Sequence, residues 1–387
     1  MFASLSHRAL HALKLALAVS LTTLLFRAGL EAIVEARSHF VPAVIFALLA
    51  TWPLLEILRR SSPTSSWWDG VRHVTDPWLG HLAGASIGRE GVGLKIGEWL
   101  AQRFSLPSST SPNSSQADDV LRMDLHALCW AAGFTAIFHT PWAAIVWVIS
   151  ELRPKSQSMR QLIRHTLWAM FGSLTAWLLA EAFGFHLHVW GLGSPHTWQI
   201  RGVAQLLWHL SWLVPILVLT SLAYHLAKNF FARRVQSKFL IRSTWGMVAI
   251  IVAVWLNQGG SPGVMSLGLE LFPTFSSDSN AWSVVALKLL LTAMFVGGGL
   301  RGGEVTPLLM CGAALGGAVA GPTGASLGFA SLWGTVSQRG WAAMILAWEI
   351  LGLGAWSMLT VLAGVFLSAT ILEALLAPSL AERANPL

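Results

Sequence analysis

The chain has 387 residues, of which 54% are hydrophobic and only 11% are charged. A soluble domain carries about a quarter charged residues, so this composition excludes an ordinary soluble protein. Uncharged runs at residues 125–150, 203–227 and 305–338 include apolar stretches long enough to cross roughly 30 Å of hydrocarbon as helices. The sequence therefore predicts an all-α, polytopic membrane protein that lies in the lipid bilayer.

Basic residues outnumber acidic ones, with 25 Lys and Arg against 18 Asp and Glu. Many of them lie in two short segments beside apolar runs, residues 153–164 and 228–242. Nucleic-acid binding would need basic residues clustered with aromatic and polar readers, so we expect no nucleic-acid partner. Short loops rich in Lys and Arg are typical of the cytoplasmic side of a membrane protein, and both segments are predicted to face the cytoplasm.

Taken in chain order, residues 9–34 and 40–55 are predicted to form the first two helices. The N-terminal apolar stretch is interpreted as a retained helix, because no small-residue cleavage site stands out after it. The polar residues 61–76 are interpreted as a loop or an interfacial segment. Residues 92–104 then have helical spacing, which brings Lys95 and Glu98 within reach of each other.

The apolar run at residues 125–150 is interrupted by His139-Thr140-Pro141. Because a proline inside a helix removes a hydrogen bond and clashes with the preceding turn, the run is predicted to form two helices joined at a kink. His139 could be a kink residue or a proton relay, and the kink fits better. Further apolar segments are predicted at residues 165–185, 203–227, 245–256, 267–275, 282–295 and 308–320.

Several of these segments are shorter than the roughly 18 residues of a full crossing and are interrupted by Gly or Pro. Broken helices in matching places of two halves are typical of transporters built from inverted repeats, with a binding site near the membrane midplane. We therefore expect one transmembrane domain over residues 1–387, with two inverted-topology repeats at roughly 8–190 and 200–377. No soluble regulatory domain is predicted.

The first candidate site is Glu90, which lies in the glycine-rich stretch Gly84-Ala85-Ser86-Ile87-Gly88-Arg89-Glu90-Gly91. Glycines let the backbone N–H groups approach an anion, and a helix that begins at Gly91 would point its positive end at the same place. An ionised Glu90 would occupy such an anion site, whereas a protonated Glu90 would leave it. The alternative is a carboxylate at the lipid headgroups that pairs with Arg89 or Lys95.

The second candidate site is Glu304, in the stretch Gly297-Gly298-Gly299-Leu300-Arg301-Gly302-Gly303-Glu304-Val305-Thr306-Pro307. Proline suits the first turn of a helix, and Val305 and Thr306 could offer backbone N–H groups and a hydroxyl to a halide. The alternative is a glycine-packed contact between helices, a role that also fits Gly312, Gly316 and Gly317. No side-chain set has metal-ligand spacing or a nucleophile–base pattern, so no metal, cofactor or enzymatic activity is predicted.

These motifs resemble those of the CLC chloride channel and transporter family. Gly88-Arg89-Glu90-Gly91 is similar to its gating-glutamate motif, and Gly133–Pro141 resembles the helix that follows it. Glu151-Leu152-Arg153-Pro154 resembles the end of the next helix, where the proton-coupled branch has its internal proton acceptor. Gly302–Pro307 is similar to the second anion motif, in the form seen in fluoride-exporting members, and Glu349 matches a late glutamate.

The resemblance implies a bacterial inner-membrane homodimer that exchanges chloride or fluoride for protons. It implies that Glu90 is the gate and that Glu151 and Glu304 are proton-coupling or anion-pathway groups. The anion-binding positions that it implies are Gly88, Arg89, Gly91, Gly303, Val305 and Thr306.

Two departures from the family pattern leave other functions open. The family's first anion motif is not found ahead of Glu90, and residues 378–381 stand where a tyrosine normally contacts the anion. A passive anion channel on the same fold is a second hypothesis. A degenerate member that acts as a membrane scaffold or partner subunit is a third.

Overall fold

A computed structural model describes residues 2–37, 67–82, 86–104, 116–156, 158–185, 200–235, 281–298 and 302–384. Within these ranges the chain forms α-helices and no strand, so the all-α prediction is confirmed for the part that is described. The helices are α1 (Phe2–Arg37), α2 (Trp67–Leu82), α3 (Glu90–Phe104), α4 (Gln116–Phe138), α5 (Pro141–Leu152), α6 (Met159–Ala182), α7 (Val203–Val235), α8 (Ala281–Gly297), α9 (Val305–Ser337), α10 (Gly340–Leu351) and α11 (Ala355–Ala384).

Several predicted segments fall outside the described residues. They are the helices at 40–55 and 245–256 and the segment at 267–275, together with Gly84, Ala85, Gly299, Leu300 and Arg301. The chain divides into two compact units. The first contains residues 1–188 and 301–304, and the second contains residues 189–300 and 305–387.

Four described helices contain segments that are long and apolar enough to cross a membrane by length and composition. These segments are Leu10–Ala32, Val203–Arg233, Val305–Ser337 and Ala355–Leu376. In the first unit, α6 also exposes a stripe of large apolar side chains, including Ile163, Leu167, Phe171 and Leu178. Such a stripe suits contact with lipid better than contact with water.

The predicted break between α4 and α5 is confirmed, and the two helices form a hairpin there. His139, between them, has a φ of 59°, and α5 begins at Pro141, where a missing N–H costs no helical hydrogen bond. The Trp147 ring lies 6.0 Å from the Trp130 ring and 5.6 Å from the Phe134 ring. Because a continuous helix would separate positions 130 and 147 by about 25 Å, these contacts show that α5 folds back along α4.

Helix α6 packs tightly against α4 and runs parallel to it. The Ser158 hydroxyl caps its N-terminus by accepting from the Gln161 backbone N–H at 3.3 Å. A Cβ on Gly172 would overlap the Leu128 carbonyl oxygen, so glycine is needed at this crossing. The Thr135 and Ser173 hydroxyls lie 2.7 Å apart and satisfy each other inside the bundle.

In the second unit, α9 is two helical segments joined at a sharp break. Ala320 and Gly321 have non-helical backbone angles, Gly321 has a φ of 60°, and Pro322 follows. The two segments then pack through glycine, because a Cβ on Gly312 would overlap the Gly328 carbonyl oxygen. Gly316 meets Gly324 in the same way, so the glycine-packing role predicted for Gly312 and Gly316 is confirmed.

Helix α2 corrects one interpretation. Residues 67–76, which we interpreted as part of a loop or an interfacial segment, are helical. Tertiary contacts hold this helix despite its internal Pro77, because the Trp78 indole N–H donates to the Phe26 carbonyl oxygen at 3.0 Å and its ring stacks on the Phe26 ring at 6.1 Å. A Cβ on Gly70 would lie 2.5 Å from the Trp99 ring, which fixes the other end of the helix.

Candidate functional site

The two glycine motifs meet in the first unit through a short antiparallel bridge between Gly88 and Gly303. The Gly88 N–H donates to the Gly303 carbonyl oxygen at 2.5 Å, and the Gly303 N–H donates to the Gly88 carbonyl oxygen at 2.8 Å. These positions are 215 residues apart in the chain, so the pairing is set by tertiary structure. The structure therefore brings together residues of both motifs that the sequence could only propose separately.

The Glu90 carboxylate lies on this bridge. Glu90 is the first residue of α3 and is only 2% exposed. A Cβ on Gly88 would come within 2.6 Å of the Glu90 Cδ, and a Cβ on Gly303 would overlap Oε1. Glycine at both positions is thus what allows the carboxylate to approach the backbone so closely.

Gly91 completes the close packing around Glu90. A Cβ on Gly91 would overlap the Gly302 carbonyl oxygen, so the start of α3 is pressed against the 302–303 backbone. The first N–H groups of a helix have no partner within the helix and carry its positive dipole end. The Glu90 carboxylate therefore lies at a position that would also suit an anion from solution.

Arg89 has its own acidic partner on α1. Its guanidinium lies 3.6 Å from the Glu31 carboxylate, and Glu31 also accepts from the Arg27 Nε–H at 2.9 Å. The Arg89 guanidinium carbon lies 6.0 Å from the centre of the Phe138 ring, and that of Arg27 lies 5.5 Å from the Phe185 ring. Two buried arginines thus share one carboxylate next to the Glu90 site.

A pairing of Glu90 with Lys95, one form of the headgroup alternative, is not what the structure has. Glu90 is buried, Arg89 has Glu31 as a partner, and Lys95 pairs with Glu98 at 2.6 Å on the exposed surface of α3. The predicted Lys95–Glu98 interaction is confirmed by that distance.

Glu151 lies away from the Glu90 site. It is half-buried in the last turn of α5, ten residues after Pro141 and so about 15 Å along the helix from its start. The Arg89 guanidinium lies near Phe138, at the other end of the α4–α5 hairpin. Glu151 and the Arg89 side chain next to Glu90 therefore lie toward opposite ends of this hairpin.

The remaining predicted positions lie along the second motif. Glu304 is half-buried and follows the bridge residue Gly303 in the first unit. Val305 and Thr306 begin α9 in the second unit, and Thr306 is fully buried. Backbone N–H groups at the start of a helix lie at its positive dipole end, a place that suits an anion.

Two further polar contacts in the first unit involve Asp124 and His139, of which only His139 was given a role from the sequence, as a kink residue or a proton relay. Asp124 Oδ1 on α4 accepts from the Arg164 Nε–H at 3.2 Å and lies 2.7 Å from Nδ1 of the buried His165 on α6. At the other end of these helices, His139 Nε2 lies 3.1 Å from the Glu181 carboxylate. Both pairs join α6 to the α4–α5 hairpin.

The partnership of Arg27 and Glu31 with Arg89 was not predicted from the sequence. A signal was present, because a basic and an acidic residue four positions apart in an apolar helix predict an ion pair that faces protein. In the parts of the chain that are described, no three His, Cys, Asp or Glu side chains are placed to hold a metal ion.

Comparisons with known proteins agree with this architecture. Residues 53–373 match the family described as voltage gated chloride channel. The chain is 28% identical over 294 residues to a chloride/fluoride channel protein of Pseudomonas syringae pv. tomato; the match covers 71% of this chain and 60% of that relative. The chain thus spans about 60% of the length of this curated relative.

Solved structures show the same fold. A CLC-type fluoride/proton antiporter is 22% identical with a TM-score of 0.75, and 97% of each chain is covered. A slow cyanobacterial Cl⁻/H⁺ antiporter has the same TM-score and coverage at 17% identity. A eukaryotic CLC transporter has a TM-score of 0.67 at 14% identity, covering 95% of this chain and 72% of its own.

Proposed function

The chain belongs to the voltage gated chloride channel family, and we propose that it exchanges a halide, chloride or fluoride, for protons across a bacterial inner membrane. The observation that carries this proposal is the buried Glu90 carboxylate packed on the Gly88–Gly303 bridge at the start of α3. A carboxylate that can take up a proton, held where backbone N–H groups suit a free halide, can couple halide movement to proton movement.

The proposed cycle follows from this placement. Ionised Glu90 occupies the glycine-lined position and excludes a halide by charge and volume. When Glu90 takes up a proton its attraction to the helix N-terminus falls, so the side chain leaves and a halide can enter. Halide entry and proton uptake thus use one side chain, which is the requirement for exchange.

The other predicted residues receive supporting roles in this proposal. Glu151, near the end of the α5 helix that leads to the basic residues 153–164, is proposed as the proton acceptor on the cytoplasmic side, and Glu304 as a second group on the pathway. The proposed anion ligands are the backbone of Gly88, Gly91, Gly303 and Val305, the Thr306 backbone and hydroxyl, and the Arg89 charge. A multi-pass homodimer with two inverted repeats completes the proposal.

The substrate class is a small halide. The related Pseudomonas protein is described as a chloride/fluoride channel protein, and the two antiporters of similar fold are described by fluoride and by chloride exchange. The Gly-Gly-Glu-Val-Thr-Pro sequence at 302–307 favours fluoride by its resemblance to fluoride-exporting members.

The test reconstitutes the purified chain in liposomes and records fluoride or chloride efflux together with proton uptake. We expect wild-type efflux to drive protons inward, and Glu90→Gln to keep halide flux while proton uptake falls to the background of empty liposomes. Glu151→Gln should also lose proton uptake. Glu98→Gln, on the same helix as Glu90 but exposed, is the matched control and should retain coupling.

Each other outcome points to a different function. Halide flux without proton movement in the wild type would identify a passive channel. No flux of either halide would identify a non-transporting member. Unchanged coupling in Glu90→Gln would show that another group is the gate.

A further inference from the structure

The cluster formed by Arg27, Glu31 and Arg89 has an unusual charge composition for its depth in the protein. The Arg27 and Arg89 side chains are 4% and 7% exposed, whereas Glu31 is 45% exposed. We call these three residues the arginine cluster. Two guanidinium groups against one carboxylate leave one positive charge, and buried charge without compensation is costly.

The compensating group is Glu90. Among the described residues, the charges that act on Arg89 are those of Arg27 and Glu31 on α1 and of Glu90 at the start of α3, while α4 contributes the uncharged Phe138 ring. With Glu90 ionised, two positive and two negative charges balance. When Glu90 is protonated, the arginine cluster keeps a net positive charge that an anion can neutralise.

Arg89 also has an unused donor. Among the described residues, its Nε–H has no hydrogen-bond partner, although the atom is fully buried. Buried donors in folded proteins are almost always paired, with protein, water or ligand. When Glu90 is neutral, the positive charge of Arg89 is no longer compensated. An anion bound next to Arg89 would both accept a hydrogen bond from its Nε–H and neutralise that charge.

We propose that the arginine cluster is a halide-binding site, occupied when Glu90 is neutral, in which the halide accepts the Nε–H of Arg89. The proposal rests on the proposed role of Glu90 as a proton-coupled gate and deepens it, because it gives the incoming ion a binding place outside the glycine bridge. Glu31 sets the affinity of this site by cancelling one of the two arginine charges.

The test measures chloride and fluoride binding to the detergent-solubilised full chain by isothermal titration calorimetry at neutral pH. Glu31→Gln removes one negative charge at nearly constant shape, so the cluster stays positive even with Glu90 ionised. We expect halide affinity to rise about tenfold, since one unit charge at close range in a partly buried site has an effect of that order. The double variant Arg27→Gln/Glu31→Gln restores the charge balance and should return the affinity to the wild-type value.

Arg89→Lys in the Glu31→Gln background separates charge from hydrogen bonding. Lysine keeps the positive charge but lacks the planar guanidinium and its Nε–H. We expect most of the tenfold gain to be lost. Glu98→Gln, which changes an exposed carboxylate of α3, should leave affinity unchanged. Thermal melts of every variant verify that it is folded before its affinity is compared.

Unchanged affinity in Glu31→Gln, or an equally raised affinity in the double variant, would overturn the proposal. Retention of the full gain by Arg89→Lys would overturn the hydrogen bond to Nε. These results are distinguishable from failure of the proposed function, because exchange in liposomes and its loss in Glu90→Gln are measured separately. Coupled exchange with no effect of Glu31 on binding would reject the arginine cluster alone.

Discussion

Gly303→Ala is the sharpest test of how Glu90 is held. The added methyl group would overlap Oε1 of Glu90 and would lie 2.8 Å from the Gly91 backbone nitrogen. Both atoms belong to the start of α3, and the backbone on the other side is fixed by the Gly88–Gly303 hydrogen bonds. The carboxylate is the movable partner, so we expect it to be displaced from the bridge.

The magnitude follows from the cost of overpacking. An extra methyl group in a well-packed interior costs about 1–3 kcal/mol. If that cost falls on the closed position of Glu90, occupancy of that position relative to displaced ones drops roughly tenfold to a hundredfold, since about 1.4 kcal/mol corresponds to a factor of ten. Proton uptake per halide should then fall toward the Glu90→Gln value, while halide flux is retained or increased.

The assay is the paired halide and proton flux measurement in liposomes, with two alanine controls. Gly302→Ala places its methyl group 2.7 Å from the Ile87 Cβ, so it strains the same segment without meeting Glu90. Gly202→Ala has no heavy atom within 4 Å of its added Cβ and should behave as wild type. A wild-type proton-to-halide ratio in folded Gly303→Ala would refute the argument that the glycine is needed for the closed position of Glu90.

Two further predictions concern stability. Asp124→Asn removes the carboxylate charge shared by His165 and Arg164, and we expect the free energy of unfolding to fall by about 1–3 kcal/mol. The loss should be seen as a lower thermal melting temperature in detergent, and an unchanged melting temperature would mean that the charge is not stabilising. Gly316→Ala would press its methyl group against the Gly324 carbonyl oxygen, and we expect the free energy of unfolding to fall by about 1–3 kcal/mol. A melting temperature as high as that of Gly202→Ala would contradict close packing of the two α9 segments.

Much of the helical layout could be predicted because its signals are local. Pro141 after His139-Thr140 marks a helix start, and the break between α4 and α5 falls at that place. Gly312 and Gly316 predicted close helix packing because small residues spaced four apart leave room for a backbone. The helix at 67–76 was missed because its stability comes from packing, such as Trp99 against Gly70, and its local sequence is polar.

The candidate site was predictable only in part, for a similar reason. The gating-type motif identified Glu90 and the second motif identified Gly303, but their contact depends on a pairing between positions 88 and 303 that no local pattern encodes. The link from Arg89 to Glu31 likewise joins residues 58 positions apart. A sequence pattern can identify each charge, whereas the partner that sets its chemistry is decided by the fold.

Neighbouring residues in the Gly-Arg-Glu-Gly motif therefore have different physical tasks. Glu90 lies against the glycine bridge, while Arg89 contacts Glu31 and the Phe138 ring on two other helices. If the motif served only to place a carboxylate, burying an arginine beside it would add a desolvation cost that no functional interaction offsets. The desolvation cost of Arg89 is offset in both states of Glu90 if its charge stabilises ionised Glu90 in the closed state and a bound halide after Glu90 is protonated. On this reasoning Arg89 and Glu90 are one electrostatic unit, and Glu31 sets how strongly that unit prefers either anion.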